Sequence, residues 1–293
     1  MSMLKKASVI IPFYNNLEWL VEAVESALNQ TYQNIEVIIV NDGSKEDMGD
    51  FLSRYGEQIT YHYQKNEGAA SARNHAMELA IGDYYAFLDS DDIWLPNKLE
   101  KQISFMEETD AKWSHTNYYY WNPDKNTLKN VDIRDEYGDI FKKTFVSVKM
   151  ATPCVVLSSD IFKDHPELCF PESYKIGQDT KLWQEISKLY PIALLREPLV
   201  KVRLRQDNTY KQTLKVLNLR AAAFQEVKKN PNAPFVAKTR SFIFYSYSKV
   251  FKLPSTPKKD FLARCSLVFP YLMGRSYVKY LSILNKKHEH LVR

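Results

Sequence analysis

Three carboxylates stand within four residues at Asp89-Ser90-Asp91-Asp92, directly after the apolar run Tyr84 to Leu88. So dense a cluster repels itself unless a cation is present, and hard divalent ions such as Mg2+ or Mn2+ prefer such oxygen ligands. The same run also reads as a solvated acidic turn ahead of the helix that opens at Pro96. Asp42 ends another apolar run, in Val40-Asn41-Asp42-Gly43-Ser44. Asp-Gly is a common turn pair, and a carboxylate at a strand end can also accept a hydrogen bond from the N–H of a base. Asp179 follows Gly177-Gln178 at the start of a stretch whose Leu182, Trp183 and Ile186 share one helical face. A helix N-terminus there would favour its ionised form. Arg203 and Arg205 alternate in Lys201-Val202-Arg203-Leu204-Arg205. That pattern suits a bidentate grip on phosphate, or two arginines on a solvated strand face.

Glycine narrows how a phosphate could be held. The 293 residues include only eight glycines, with no Gly-x-Gly pair and no Gly-x-x-x-x-Gly-Lys loop. The dinucleotide fingerprint and the Walker cradle are therefore excluded. If phosphates are handled, metal ions and basic side chains must do most of the holding. The six histidines show no His-Glu-x-x-His spacing, and no serine-centred nucleophile elbow is present. Three cysteines without Cys-x-x-Cys spacing argue against zinc and against a disulfide framework, and for a reducing compartment. A net charge of +5 permits anionic partners without naming one; nucleic acid is not expected among them. The apolar run Val9 to Ile11 is too short for a signal-peptide core, and Cys265 to Gly274 is too short to span a bilayer. A cytoplasmic, soluble protein is expected.

The elements that must position these residues alternate through the first hundred positions. Ala7 to Ile11 reads as a buried strand closed by Pro12, and Leu17, Leu20, Val21, Val24, Ala27 and Leu28 recur at helical spacing with Asn15 or Asn16 as cap. Ile35 to Val40 and Ile59 to Tyr63 read as strands, Ala69 to Ile81 as a helix stopped at Gly82, and Tyr84 to Leu88 as a fourth strand. Continuous apolar strands with helical crossovers imply a mostly parallel sheet covered on both faces, with ligands at the carboxyl ends of its strands. An aromatic strand, Trp113 to Trp121, a helix from Gln178 to Leu189 and a loop and strand from Arg196 to Arg205 follow. His115 to Trp121 could stack on an acceptor sugar or form a plain amphipathic strand. After Asn208 the chain turns helical, basic and aromatic. Lys238, Arg240, Lys249, Lys252, Lys258 and Lys259 are interleaved there with Phe242, Phe244, Tyr245, Tyr247, Val250 and Phe251. Helices packed on the first domain would explain that region, as would a basic aromatic helix lying on anionic lipid.

Four blocks stand in order: Val9-Ile10-Ile11-Pro12-Phe13-Tyr14-Asn15; Val40-Asn41-Asp42-Gly43-Ser44; Asn66-Glu67-Gly68-Ala69-Ala70-Ser71-Ala72-Arg73-Asn74; and Phe87-Leu88-Asp89-Ser90-Asp91-Asp92. Over residues 7–110, and less strictly to about 205, the chain resembles the family 2 glycosyltransferases. The resemblance implies an α/β GT-A fold over 1–208, Rossmann-like with a mostly parallel central sheet, and a C-terminal helical region over 209–293. It implies that Pro12, Phe13, Tyr14 and Asn15 line the nucleotide pocket, that Asp42 binds the base, usually uracil, and that Asn66 and Arg73 lie near the nucleotide. Asp89 and Ser90 would face the ribose or donor sugar. Asp91, with Asp89, would ligate Mn2+ or Mg2+ on the donor diphosphate.

Gly177-Gln178-Asp179 resembles the family's Glu-Asp motif with Gln178 in place of Glu, which assigns the catalytic base to Asp179. Lys201 to Arg205 resembles the segment Tyr-Arg-x-His: Arg203 matches, and Arg205 stands where relatives carry His. Arginine cannot ligate a metal but can pair with phosphate.

The implied activity is inverting transfer from a nucleoside-diphosphate sugar to a glycan, glycolipid or protein-linked acceptor, with peripheral membrane contact through the C-terminal region. Two rivals are a sugar-phosphate nucleotidyltransferase and a non-catalytic nucleotide-sugar binder. The first wants a glycine-rich basic loop after the first strand, where this chain has Pro12-Phe13-Tyr14-Asn15-Asn16. The second is favoured only by Gln178 and Arg205.

Overall fold

The computed structural model describes residues 4–146, 148–174, 176–205, 224–250, 270, 272–277, 280–281 and 290–293. The chain divides into two compact units, residues 1–139, 149–204 and 288–293 in the first and residues 140–148 and 205–287 in the second. The boundary expected near residue 208 lies outside the described residues, as do Phe251, Lys252, Lys258, Lys259 and Cys265.

The first unit is built on a nine-stranded sheet. β1 (Ala7–Phe13), β2 (Ile35–Asp42), β3 (Thr60–Gln64) and β4 (Tyr84–Phe87) are parallel neighbours in the order β3-β2-β1-β4. α1 (Leu17–Leu28), α2 (Gly49–Tyr55) and α3 (Ala69–Leu79) connect them. The chain steps outward from β1 to β2 and β3, then returns to β4 on the other side of β1. Such a reversal leaves a crevice at the carboxyl ends of the strands. All seven residues of β1 and most of β2 are buried, as a sheet covered on both faces requires.

Beyond β4 the sheet is mixed. After β5 (Ile93–Trp94) and α4 (Lys98–Thr109) comes β6 (Trp113–Asn122), which carries β7 (Thr127–Val131) as an antiparallel partner. In the second unit α5 (Phe141–Thr144) follows. β8 (Val155–Ser158) lies antiparallel between β4 and β6. After α6 (Asp160–Asp164) and α7 (Gln178–Ile186), β9 (Ala193–Arg203) runs parallel to β6 and antiparallel to β5. The continuous parallel run expected from the sequence is confined to the first four strands; beyond them only β6 and β9 pair in parallel among the described strands.

Pro12 does not close β1, as the sequence suggested; it pairs in register with Val40 inside the strand. Alternation explains the tolerance. Ile10 turns its carbonyl toward the β4 side, where it accepts the Leu88 N–H at 3.0 Å. Pro12, two residues on, faces the same side. The β1–β4 register ends at Ile10 and Phe87, so the missing donor costs no ladder bond.

α1 is capped from a distance. Asn16 is its N-cap, but its φ of 66° is left-handed and its own side chain makes no capping bond. The Glu46 carboxylate accepts the Asn16 N–H and, at 2.9 Å, the Leu17 N–H, placing an anion where the helix dipole favours one. In the second unit, α8 (Phe224–Lys229) and α9 (Phe235–Val250) are the longer described helices. No helix among the described residues is long and apolar enough to cross a membrane.

Candidate active site

The parallel strands end at one edge of the sheet, which brings together Tyr14 and Asn15 after β1, Asp42 at the end of β2, Asn66 after β3 and Asp89 after β4. Pro12 and Phe13 are buried, Phe13 within the core, whereas Tyr14 and Asn15 present their side chains to solvent.

Asp42 is buried, and its carboxylate accepts the backbone N–H groups of Glu67 at 2.8 Å and Gly68 at 2.9 Å and the Gln64 amide at 2.9 Å. Gln64 is itself held by His75 Nδ1 at 3.0 Å. Asp42 therefore pins the loop after β3 and caps α3, whose N-cap is Gly68, rather than the helix next to it in sequence. Gly43 makes the closure feasible. Its φ is +75°, and a Cβ there would meet the Asn66 nitrogen at 2.7 Å.

Arg73 of α3 is buried and reaches Asp89 at 2.5 Å, with Phe170 at 5.4 Å from its guanidinium. Next to it, the Asn74 amide donates to the Phe170 carbonyl and accepts the Phe170 N–H, both at 2.8 Å. Phe170 packs edge-on against Trp183 of α7, so α3 also orients the segment leading to Asp179.

Arg203 clamps the acidic turn from β9. Its N–H donates to Asp92 Oδ1 and its Nε to the Asp91 carbonyl, both at 2.8 Å. Its guanidinium pairs with Glu22 of α1 and lies between the rings of Trp121, at 4.3 Å, and Trp19, at 5.1 Å. Arg203 and Asp92 are both buried. Arg203 is thus committed to protein partners behind the turn, and Arg205 falls in the second unit. Ser90 and Asp91 are half-buried in the turn.

Asp179 stands in the first turn of α7, after Gly177 with φ +82°. Its carboxylate accepts the Thr180 N–H at 2.7 Å and the Thr152 hydroxyl at 3.2 Å. Thr152 adjoins Pro153, whose carbonyl accepts Trp94 Nε1 at 2.8 Å, and Trp94 follows the acidic turn in β5. The base candidate and the acidic turn are therefore linked through Thr152, Pro153 and Trp94. Of the other carboxylates nearby in sequence, Asp160 is engaged by Lys163 at 3.1 Å and Lys112 at 3.4 Å; the hydrogen bond from Lys163 holds it below the usual carboxylate range. Glu172 accepts the Asn74 amide at 3.2 Å.

Among the described residues no group of three or more His, Cys, Asp and Glu is placed to hold a metal ion. The donor set at the turn is hard oxygen from Asp91, with Asp89 beside it. That suits a divalent cation completed by a diphosphate, which needs only one or two protein carboxylates.

Several residues the sequence did not single out support this frame. Glu46, Gln64, Thr152, Glu22 and Trp19 act through tertiary contacts that no local spacing announces. His115 proves to be core: its Nε2 lies 2.6 Å from the Glu136 carbonyl, and burial pushes its pKa down to about 4. The half of β6 it heads is buried, so it does not offer an open stacking face.

Comparison with known proteins gives a consistent pattern. The model of the family described as "Glycosyl transferase family 2" matches residues 8–165. The chain is 40% identical over 206 residues to an uncharacterized glycosyltransferase of Rickettsia bellii, covering 70% of this chain and 29% of that protein. A second such protein, from Rickettsia felis, is matched over 33% of its length, so the chain spans about a third of these relatives. It is 31% identical to the putative teichuronic acid biosynthesis glycosyltransferase TuaG of Bacillus subtilis, over 84% of this chain and 96% of that one. Over 114 residues, 38% of this chain and 45% of the other, it is 45% identical to the Escherichia coli UDP-Glc:alpha-D-GlcNAc-diphosphoundecaprenol beta-1,3-glucosyltransferase WfaP. Among solved structures, S. aureus TarS in complex with UDP-GlcNAc matches 94% of this chain and 92% of its own at a TM-score of 0.60 and 17% identity. The mannosyltransferase PcManGT of Pyrobaculum calidifontis, in complex with GDP-Man and Mn2+, matches 99% of this chain and 88% of its own at 0.60 and 13% identity.

Proposed function

The chain belongs to glycosyl transferase family 2, and on that premise we propose that it is an inverting, metal-dependent glycosyltransferase. It moves a sugar from a nucleoside-diphosphate sugar, a UDP-sugar in the first instance, to a hydroxyl of a glycan, glycolipid or protein-linked acceptor. One observation carries this reading: the strand-end residues Asp42, Arg73, Asp89 and Asp91 and the helix-start residue Asp179 belong to one hydrogen-bonded frame.

Within that frame Tyr14, Asn15, Asp42 and the Asn66 loop receive the nucleotide. Arg73 and Asp89 orient the ribose or donor sugar, and Arg203 holds the turn that carries Asp91 in place. A divalent cation bound through Asp91 would neutralise charge building on the departing diphosphate. Asp179 takes the proton of the acceptor hydroxyl as it attacks the anomeric carbon. Attack opposite the leaving group inverts that centre without a covalent intermediate. The undecaprenol-linked acceptor in the name of WfaP and the teichuronic acid polymer in that of TuaG support a surface glycan or its lipid-linked precursor as the acceptor class. Peripheral membrane contact would bring the enzyme to such an acceptor.

The test is nucleoside-diphosphate release across a panel of nucleotide sugars, with Mn2+ and with chelator, for the wild type and Asp179→Asn. The amide is nearly isosteric but takes up no proton, so donor affinity by calorimetry persists while transfer falls by about 10²–10⁴-fold. Transfer at the wild-type rate in Asp179→Asn removes the base assignment. Pyrophosphate release from a nucleoside triphosphate and a sugar 1-phosphate, with no nucleoside diphosphate freed from nucleotide sugars, would assign the chain to nucleotidyl transfer, and donor binding without any turnover to a binder.

A further inference from the structure

The net charge of +5 conceals a division. Of the 40 Lys and Arg residues 19 lie in the second unit, against only 3 of the 35 Asp and Glu. The second unit is therefore net +16 and the first net −11. So one-sided a unit is drawn to polyanionic surfaces.

α9 adds a feature that charge alone does not require. Its inner arc, Ala237, Arg240, Ser241 and Phe244, is buried. Arg240 anchors that arc: Nε donates to the Pro270 carbonyl at 2.9 Å, another N–H donates to the Val146 carbonyl, and the guanidinium lies 5.1 Å from the Phe244 ring. Gly274 packs against Arg240 so closely that a Cβ would meet its Cζ at 3.0 Å. With this arc fixed inside the unit, helical spacing sends Phe235, Thr239 and Phe242 to the opposite arc. Phe235 is 82% exposed and Phe242 55% exposed. Lys238 lies between them in sequence, and Lys228 and Lys229 close the preceding helix.

Lysines alone would serve any polyanion. Exposed phenylalanine surface on the same basic unit suits a boundary where headgroup phosphates meet acyl chains, which takes both. We infer that the Phe235–Phe242 arc of α9 docks on an anionic phospholipid surface, with its rings in the acyl boundary and Lys228, Lys229 and Lys238 on the headgroups. This deepens the peripheral-contact part of the proposal above and rests on no catalytic step.

The full chain is tested by co-sedimentation with vesicles of phosphatidylcholine alone and with about one-third phosphatidylglycerol, at low and high salt. Binding is expected only to the anionic vesicles and is lost at high salt. The double variant Phe235→Ser/Phe242→Ser should bind at least about tenfold more weakly. Ile81→Ser, which removes a side chain 76% exposed on the first unit, should bind as the wild type. Equal binding by the double variant, or equal binding to neutral vesicles, overturns the inference. So does tight binding of a single-stranded oligonucleotide that is insensitive to the two phenylalanines, which would assign the basic unit to nucleic acid. Vesicle binding is read without donor, so its failure and a failure of sugar transfer are separate results.

Discussion

Lys98 should destabilise the first unit at neutral pH and below, and Lys98→Met should relieve it. The side chain sits on the buried face of α4 and is completely buried. Its Nζ has no hydrogen-bond partner among the described residues and lies 3.9 Å from the centroid of the Trp94 ring. The Cys154 thiol is its other polar neighbour; burial pushes that thiol up to about 12, so it offers no negative charge. Burial lowers the Lys98 pKa from 10.5 to about 7. At about 1.4 kcal/mol per pKa unit, burying the ammonium costs on the order of 4–5 kcal/mol. Cation–π attraction to Trp94 returns about 2 kcal/mol, so desolvation wins and Met should stabilise by roughly 2–3 kcal/mol near pH 6.5.

The pH dependence of Lys98 has a definite sign. Its folded-state pKa lies below the unfolded one, so between about pH 7 and 10.5 the unfolded chain binds more protons and stability rises with pH. Below that window the full penalty applies. Most of the advantage of Met should therefore be lost on going from about pH 6.5 to about pH 9. Urea unfolding followed by tryptophan fluorescence reads this, because all five tryptophans lie in the first unit. Lys98→Met less stable than wild type at every pH, or a gap that does not change with pH, refutes the reasoning.

Three further outcomes test the site. Asp91→Ala should remove the Mn2+-dependent part of UDP affinity measured by calorimetry; unchanged affinity would move the metal elsewhere. Asp42→Ala should lower the Tm, because two backbone N–H groups and the Gln64 amide lose an ionised acceptor, and weaken UDP binding roughly ten- to a hundredfold. A lower Tm with unchanged affinity would leave Asp42 as a loop anchor alone. Arg203→Lys should cost about 2–4 kcal/mol of stability, since an ammonium cannot reproduce the fork between Glu22 and the Asp91 carbonyl or the stacking between Trp19 and Trp121. Weaker UDP binding at unchanged Tm would make Arg203 a phosphate contact instead.

The sequence disclosed those parts of the fold that are written locally. Strands β1, β2 and β4 are apolar runs bounded by turn residues, and Leu182, Trp183 and Ile186 lie on the buried face of α7 as their spacing required. Strand-end polar residues then fell at one edge by topology. What stayed hidden depends on partners far away in the chain. Arg203 read as a phosphate grip or a strand-face arginine because nothing in Val202-Arg203-Leu204 announces Glu22 or Trp19. Glu46 belongs to no motif in the sequence, yet it caps a helix that begins 29 residues earlier. Lys98 is the instructive case, because the pattern did contain it. It shares the α4 stripe with Leu99, Gln102, Ile103 and Met106, and only the habit of placing lysine outside conceals a buried charge.

A net charge of −11 on the first unit bears directly on its chemistry. A nucleoside diphosphate arrives as a multiply charged anion, and the unit as a whole repels it. The two arginines at the acidic turn do not reverse that field: Arg73 pairs with Asp89 and Arg203 with Glu22. Each neutralises a carboxylate of the protein and fixes the backbone around it. On the proposed reading, the positive charge the diphosphate requires comes with the donor, as a divalent ion for which the turn would supply oxygen. The scarcity of glycine, the crowding of Asp89 to Asp92 and the internal pairing of both arginines each favour that proposal. The proposed site would bind cation and donor reciprocally, each weakly without the other, so UDP affinity should rise with Mn2+ and Mn2+ affinity with UDP by the same factor.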